Sequence, residues 1–469
     1  MKKLTSTSLR FIPGALGLAC CLLASNASAA VLYFDPNGAS PVTAGTYTWD
    51  TTSLEWSTSS ALTGSPVAWN SADAANFCAG SFTGNITVDV NSAINVAGMF
   101  NGNLTPPGCN LTLAGTGSLN LPSGAQAWGE GGSDGNYVIM NVPITGPGAP
   151  ESEMNGNGLN NLYLYSPNTY TGGFVLGASS NGGTPPNAGV NFNNNTAFGI
   201  GGTISSSSSS AQRNILTPLA AQTPGALVLS QGLTLWNGVF SYSGVAIAPV
   251  TFSGNVALGS TTSTIQVQST TDAGAGTATL TLAGIVSGAG NLAKTGAGVL
   301  VLSGANTYSG STTISAGRLT LGAANTIASS SSVIMAGGTL DPDGFHHAMT
   351  ATTLGLTASS ILDYSSGAAE IDFANSSGVA WTSGMTLNLV STGGGNWNNS
   401  SDYLEVGTAT GLTSGQLAEI EFNGTDLGDA GITSQGYIID TAQIPEPSTV
   451  VLSLLGGLGL LWNIRRRAV

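Results

Sequence analysis

The stretch that decides the fold is Gly290-NLAKTGAGVLVLSGANTYSGSTTISAGRLTL-Gly322. Val299-Leu300-Val301-Leu302 and Leu319-Thr320-Leu321 alternate with period two, and Gly, Asn and Ser punctuate them. Short alternations bounded by such residues read as strand, turn, strand. The pattern spreads outward, to Thr279-Leu280-Thr281-Leu282 on one side and Leu111-Thr112-Leu113 far upstream. It also repeats. Asn306-Thr307-Tyr308-Ser309-Gly310 has a counterpart in Asn168-Thr169-Tyr170-Thr171-Gly172, and Leu-Thr-Leu before Ala-Gly occurs at both Leu111 and Leu280. Repeated short strands with small residues at the turns suit stacked coils, because each coil has an open face that only its neighbour can bury. The expectation is an all-β, right-handed parallel β-helix or solenoid with almost no helix. One short turn is expected at Ser414 to Ala418.

Residues 290–322 closely resemble the autotransporter-associated β-strand repeat, found in passenger domains of right-handed parallel β-helix type. A degenerate copy covers Asn161 to Gly177, and weaker likeness runs through the Trp-rich N-terminal part and Ala336 to Thr357. The resemblance implies passenger-like architecture. It stops short of self-translocation, because no block of membrane-barrel strands with an aromatic girdle is found in the sequence.

Composition agrees with a solenoid. The chain has 469 residues, 67 of them Gly, with 7% charged residues, 41% hydrophobic residues and a mean hydropathy of +0.22. An ordinary domain is about 25% charged, and helical bundles need ionic residues for their wet faces. Disorder of the charged kind is excluded as well, and there is enough apolar side chain for a large core. Between the two ends only Arg213, Lys294 and Arg318 are cationic against 22 acids, a net of −19. That balance opposes nucleic-acid binding through phosphates.

Both ends carry sorting features. Residues 1–29 have a basic start, an apolar run from Gly14 to Ala24 and Ala27-Ser28-Ala29, the pattern of a signal peptide cleaved by signal peptidase after Ala29. Cys20 and Cys21 lie in that run, where Gly17 stands in place of the Leu a lipidation signal wants. Cys78 and Cys109 remain in the mature chain. A disulfide between them would close a loop of roughly 30 residues and stabilise the fold by about 3–4 kcal/mol, with two free thiols as the alternative.

At the other end, Pro445-Glu446-Pro447 precedes an apolar run from Val450 to Ile464 and Arg465-Arg466-Arg467. That run would cover roughly 22 Å as a helix, a short inner-membrane anchor with its arginines cytoplasmic. The three-part tail resembles the PEP-CTERM sorting signal of Gram-negative bacteria. In that family an exosortase-type transpeptidase recognises and removes the tail, in bacteria that make extracellular polysaccharide. The divisions expected are 1–29 as signal peptide, 30–200 as an N-terminal β region, 201–443 as the solenoid and 444–469 as the sorting signal. Trp49, Trp56, Trp69 and Phe77 would cap the rod or form a small separate domain, and Ser205 to Ser210 would form a flexible loop or seam. At about 20 residues per coil the rod would reach at most about 100 Å.

The candidates for chemistry are carboxylates. Glu370-Ile371-Asp372-Phe373 and Glu419-Ile420-Glu421-Phe422 each place two acids on one strand face, about 6.5–7 Å apart, a spacing compatible with an inverting glycosidase or a Ca²⁺ site. A half-exposed strand gives the same pattern and is the favoured reading. Asp341-Pro342-Asp343-Gly344 reads as a turn. His346 and His347 would point to opposite faces of a strand, so they do not chelate one metal together, and no site is assigned to them. No cofactor is expected. The leading expectation is a non-enzymatic exported surface or matrix protein associated with exopolysaccharide or biofilm. The alternative is a polysaccharide-degrading enzyme or an adhesin on the same scaffold.

Overall fold

Alternation fixes which side chains go inside. In Thr279–Leu282 and Val299–Leu302 every second residue is buried, as a pleated strand requires when one face lies on a core. The computed structural model describes residues 30–443, apart from positions 37, 39–41, 64, 72, 78–81, 105–109, 124, 133–136, 156–160, 179–186, 207–212, 219–225, 237, 245–248, 270–277, 329–331, 392–396, 398–400 and 426.

The strands stack coil upon coil into a parallel β-solenoid. One face is a sheet of 13 strands that begins at Val42–Trp49 and ends at Leu354–Ala358; the other large sheets have 11 and 9 strands, and two three-stranded sheets lie beside them among the described residues. Pairing along them is parallel except at the first edge, where Trp56–Ser57 lies antiparallel to Val31–Phe34. One interior column runs Leu227, Val250, Leu280, Leu300, Leu319, Leu340, Leu362, Leu389, Phe422, each paired in register with the next. All nine are buried within a single hydrophobic core reaching from Leu32 to Ile438. Like side chains stacked in this way let one packing solution repeat.

The recurrence of the Asn-Thr-Tyr motif has a structural cause. Asn306 Oδ1 accepts from Val286 N–H at 2.7 Å, and its Nδ2 donates to Thr326 C=O at 2.5 Å. Asn168 does the same, accepting from Ile144 N–H at 2.8 Å and donating to Ala197 C=O at 2.7 Å. Each buried carboxamide therefore joins the coil before it to the coil after it where the strands bend and backbone groups lose their ladder partners. Tyr170 and Tyr308, two residues on, are wholly buried. Glycine is needed nearby because backbones touch. A Cβ on Gly284 would sit 2.2 Å from Gly254 O, and one on Gly304 would sit 2.3 Å from Gly284 O.

The two scarce cations whose side chains are described serve the same stacking. Lys294 is fully buried, and its ammonium donates to the carbonyls of Thr295, Gly296 and Ala316 at 2.8, 2.7 and 3.0 Å. Desolvation lowers its pKa to about 8. Arg318 pairs with Asp341 at 2.7 Å and with Asp363, so its guanidinium clamps two successive coils.

Several expectations are corrected. Coils are longer than 20 residues over most of the chain: in the 13-stranded sheet, paired positions lie 24 to 41 residues apart before residue 290. Only the repeat region keeps 20 to 22. With 13 rungs in that sheet, and two more beyond it in the 9-stranded one, the stack is about 65–70 Å long at about 4.8 Å per rung. Pairing crosses residue 200 in both large sheets, so no break in the sheets falls there. Ser205 and Ser206 belong to the strand Thr203–Ser206, with Ser206 Oγ donating to Thr234 O at 3.4 Å. The other serines of that run lie outside the described residues.

The aromatic cluster is a cap rather than a separate domain. Phe34, Trp49, Trp56, Trp69 and Phe77 are buried against one another, with Trp56 and Trp69 centroids 4.7 Å apart. They seal the first coil beneath the antiparallel strand, which covers an otherwise open sheet edge. At the far end Trp397 packs between Tyr364 and Phe422, and a hairpin of Ala430–Ile432 and Ile438–Asp440 closes the stack. The expected turn at Ser414 is a one-turn helix, Ser414–Leu417, held by a capping box between Thr413 and Gln416.

Candidate functional site

Two groups of side chains on the outside of the solenoid can meet something other than the protein. The first is aromatic. Tyr137 and Tyr163 sit at outward positions on neighbouring strands of the 13-stranded sheet, and Tyr165 follows just past the second strand. Their rings meet in sequence, with centroids 5.7 Å apart for Tyr137 and Tyr163 and 5.6 Å for Tyr163 and Tyr165. All three are half-buried. Partial burial raises the pKa of Tyr163 and Tyr165, so the hydroxyls stay protonated and able to donate. Rings clustered on a face with amide and hydroxyl neighbours offer stacking surface with polar tips.

The second group is ionic. His346–Met349, Glu370–Phe373 and Tyr403–Val406 form a three-stranded parallel sheet on successive coils. Register places His346 opposite Glu370 and Tyr403, and Ala348 opposite Asp372 and Glu405. His346 Nε2 lies 2.8 Å from Asp372 Oδ2 and 3.8 Å from Glu370 Oε2. One ligand atom from each of these three residues lies within 4.8 Å of the others. The hydrogen bond to Asp372, then the charges of Asp372, Glu370 and Glu405, raises the pKa of His346. Tyr437, from the closing segment, donates to Glu370 Oε1 at 3.3 Å and also bonds Glu405. Desolvation and these two acids push its hydroxyl up to about 12.

His346 and His347 do point to opposite faces, one exposed and the other buried. His347 is structural. Its Nδ1 accepts from Asn325 N–H at 3.2 Å and its Nε2 donates to Pro342 O at 3.1 Å, and burial lowers its pKa, so it is a neutral ring with one tautomer. On its exposed face His346 does not stand alone, because the next coil brings two carboxylates against it. The signal was available in the coil period: His346 and Glu370 are 24 residues apart, a coil's length.

The other expectations divide simply. The turn expected at Asp341-Pro342-Asp343-Gly344 lies one residue later, over Pro342 to Phe345: Asp341 ends the strand Thr339–Asp341 and accepts from Asp343 N–H at 2.9 Å, Phe345 N–H closes the turn on Pro342 O at 3.0 Å, and Asp343 and Gly344 have φ of 52° and 76°. Asp341 also takes Arg318, which turn chemistry alone does not reveal. Glu370 and Asp372 share a face as expected, but Asp372 is buried and engaged with His346. Glu419 accepts from Gly384 N–H at 3.1 Å instead of pairing with Glu421 in a site. Ala29, Cys78, Cys109, Pro445 to Pro447 and Arg465 to Arg467 lie outside the described residues.

Residues 292–321 match the passenger-associated-transport-repeat family. The chain is also similar to the adhesin BmaC autotransporter of Brucella suis biovar 1 (strain 1330), 30% identical over 210 residues. That alignment covers 44% of this chain and 6% of the relative, so the chain spans a small part of the relative's length. No solved structure matches. The chain thus carries a passenger-type repeat on a parallel β-solenoid.

Proposed function

We propose that this chain is an exported, non-enzymatic surface protein, an adhesive rod whose outer face binds extracellular polysaccharide. The observation that carries the reading is the passenger-type repeat set in register within a solenoid whose outside displays a tyrosine cluster. Stacking on sugar rings and hydrogen bonds from hydroxyls suit weak contacts that gain strength by repetition. A neighbouring likeness to an adhesin supports an adhesive role over a catalytic one. The carboxylate pair lends little to the enzyme alternative, because Asp372 is buried and its Oδ2 is already engaged by His346 Nε2 at 2.8 Å.

Export would begin with cleavage by signal peptidase after Ala29. Sorting would follow through Pro445-Glu446-Pro447, with Val450 to Ile464 held transiently in the inner membrane and Arg465 to Arg467 on the cytoplasmic side until an exosortase-type transpeptidase acts. Both steps fit a Gram-negative cell surface or matrix.

The test is co-sedimentation of the purified protein with exopolysaccharide from the producing cells. Binding is expected for the wild type, and Tyr163→Ala with Tyr137→Ala should weaken it at least five-fold while the circular dichroism stays that of a β protein. Absence of binding at every ionic strength, or equal binding by the double variant, would remove the polysaccharide assignment.

A further inference from the structure

We propose that His346, Glu370 and Asp372 form a binding site for a first-row divalent transition-metal ion of the Zn²⁺ type, which joins the last coils of the solenoid. The inference is independent of what the outer face adheres to. Three features of the cluster carry it.

The first is spacing. Ligand atoms on a tetrahedral ion at bond lengths of about 2.0–2.1 Å lie about 3.3 Å apart. His346 Nε2 is 2.8 Å from Asp372 Oδ2 and 3.8 Å from Glu370 Oε2, which brackets that edge, so small side-chain adjustments would seat an ion. The second is an unpaired acceptor. Asp372 is only 8% exposed, and its Oδ1 is buried with no hydrogen-bond partner. An acceptor without a donor is costly in a protein interior, and a cation beside the carboxylate would offset that cost. The third is orientation. Tyr437 donates to Glu370 Oε1, which leaves Oε2 toward His346, as second-sphere groups commonly fix a ligating carboxylate.

Charge points the same way. Glu370, Asp372 and Glu405 face one imidazole, while Arg318 is engaged by Asp341 and Asp363 and Lys294 by three carbonyls. One imidazole nitrogen with two carboxylate oxygens favours Zn²⁺ or its neighbours over Ca²⁺ and Mg²⁺, which take oxygen ligands. Three protein ligands leave a fourth position for water or an external donor, and the His346 side chain is 55% exposed, so that position faces solvent. An ion here would tie His346–Met349 to Glu370–Phe373 and, through Tyr437, to the closing segment.

The experiment uses full-length protein, freed of metal with a chelator, its thiols alkylated, and titrated calorimetrically with ZnCl₂. One equivalent should bind with micromolar affinity, and Co²⁺ in its place should give visible absorption bands of a low-coordinate site. His346→Ala and Asp372→Asn should each weaken Zn²⁺ binding at least ten-fold, and Ca²⁺ should bind at least ten-fold more weakly than Zn²⁺. Both variants must keep the wild-type circular dichroism. The proposal is overturned by absence of saturable Zn²⁺ binding, by binding that survives both substitutions, or by tighter binding of Ca²⁺.

Discussion

Replacing Asn306 by Ala should remove a coil-to-coil staple and little else. The carboxamide is 6% exposed, and its two ends bond Val286 N–H at 2.7 Å and Thr326 C=O at 2.5 Å. Alanine leaves one donor and one acceptor inside the stack, at about 1–3 kcal/mol each, so the loss should fall at about 2–6 kcal/mol. Domain stability is commonly about 5–15 kcal/mol, so a cost of this size is a large part of it. In a stacked protein the damage is felt first by neighbouring coils. Amide hydrogen exchange at Val286 is therefore the sharpest assay: a local loss of about 2 kcal/mol accelerates exchange roughly 30-fold. Asn306→Asp should be no better, since it keeps the acceptor but turns a carboxylate oxygen toward Thr326 C=O. Asn168→Ala should repeat the effect at the Ile144 amide, because the two asparagines make equivalent bonds. The two losses should add, since the sites share no partner. Val286 exchange within about three-fold of wild type in Asn306→Ala, with an unchanged denaturation midpoint, would refute the staple argument.

Two further outcomes follow from the buried Lys294 and the half-buried Arg318. Lys294 has a folded-state pKa lowered from 10.5 to about 8, so the unfolded chain holds the proton more tightly, and stability should rise as pH increases above 8. The gain should reach about 2 kcal/mol near about pH 9.5, before tyrosine ionisation intervenes, and Lys294→Met should abolish the slope in urea titrations across that window. Arg318→Met strands the buried carboxylates of Asp341 and Asp363 beside each other and should cost about 3–5 kcal/mol at neutral pH. Against desolvation, the hydrogen bonds from Ser365 and then the Arg318 pair lower the pKa of Asp363 in the wild type, so the stability these contacts give is present above 3.8 and lost as pH falls through the folded value, the share from Arg318 with the rest. The gap between Arg318→Met and wild type, read from urea midpoints, should accordingly narrow in acid; a gap constant from pH 7 to pH 3 would contradict the ion-pair account.

Strands were legible because alternation is local: Val299 to Leu302 declares its buried and outward faces without reference to anything distant. Coil length was not, because it is set by how much chain each turn carries outward, and nothing local to a strand limits that. The site residues show the consequence. On its own strand His346 has no ionic neighbour in sequence, and Asp341 stands beside a turn, so neighbours along the chain do not reveal what either touches. In a stack, the nearest neighbour of a residue is also the one a coil away. Arg318, Asp341 and Asp363 are spaced by 23 and 22 positions, Lys294 reaches Ala316 22 positions on, and His346 meets Glu370 after 24. A chain with so few charges would place them at random distances if they served only solubility. Here these contacts fall about one coil apart, a few residues longer than the steps of 20 and 19 by which the column Leu280, Leu300 and Leu319 advances. The stacking that packs the interior thus also assembles its ionic contacts, and because the chain each coil carries outward varies, those contacts are set by the stack and not by any one spacing in the sequence.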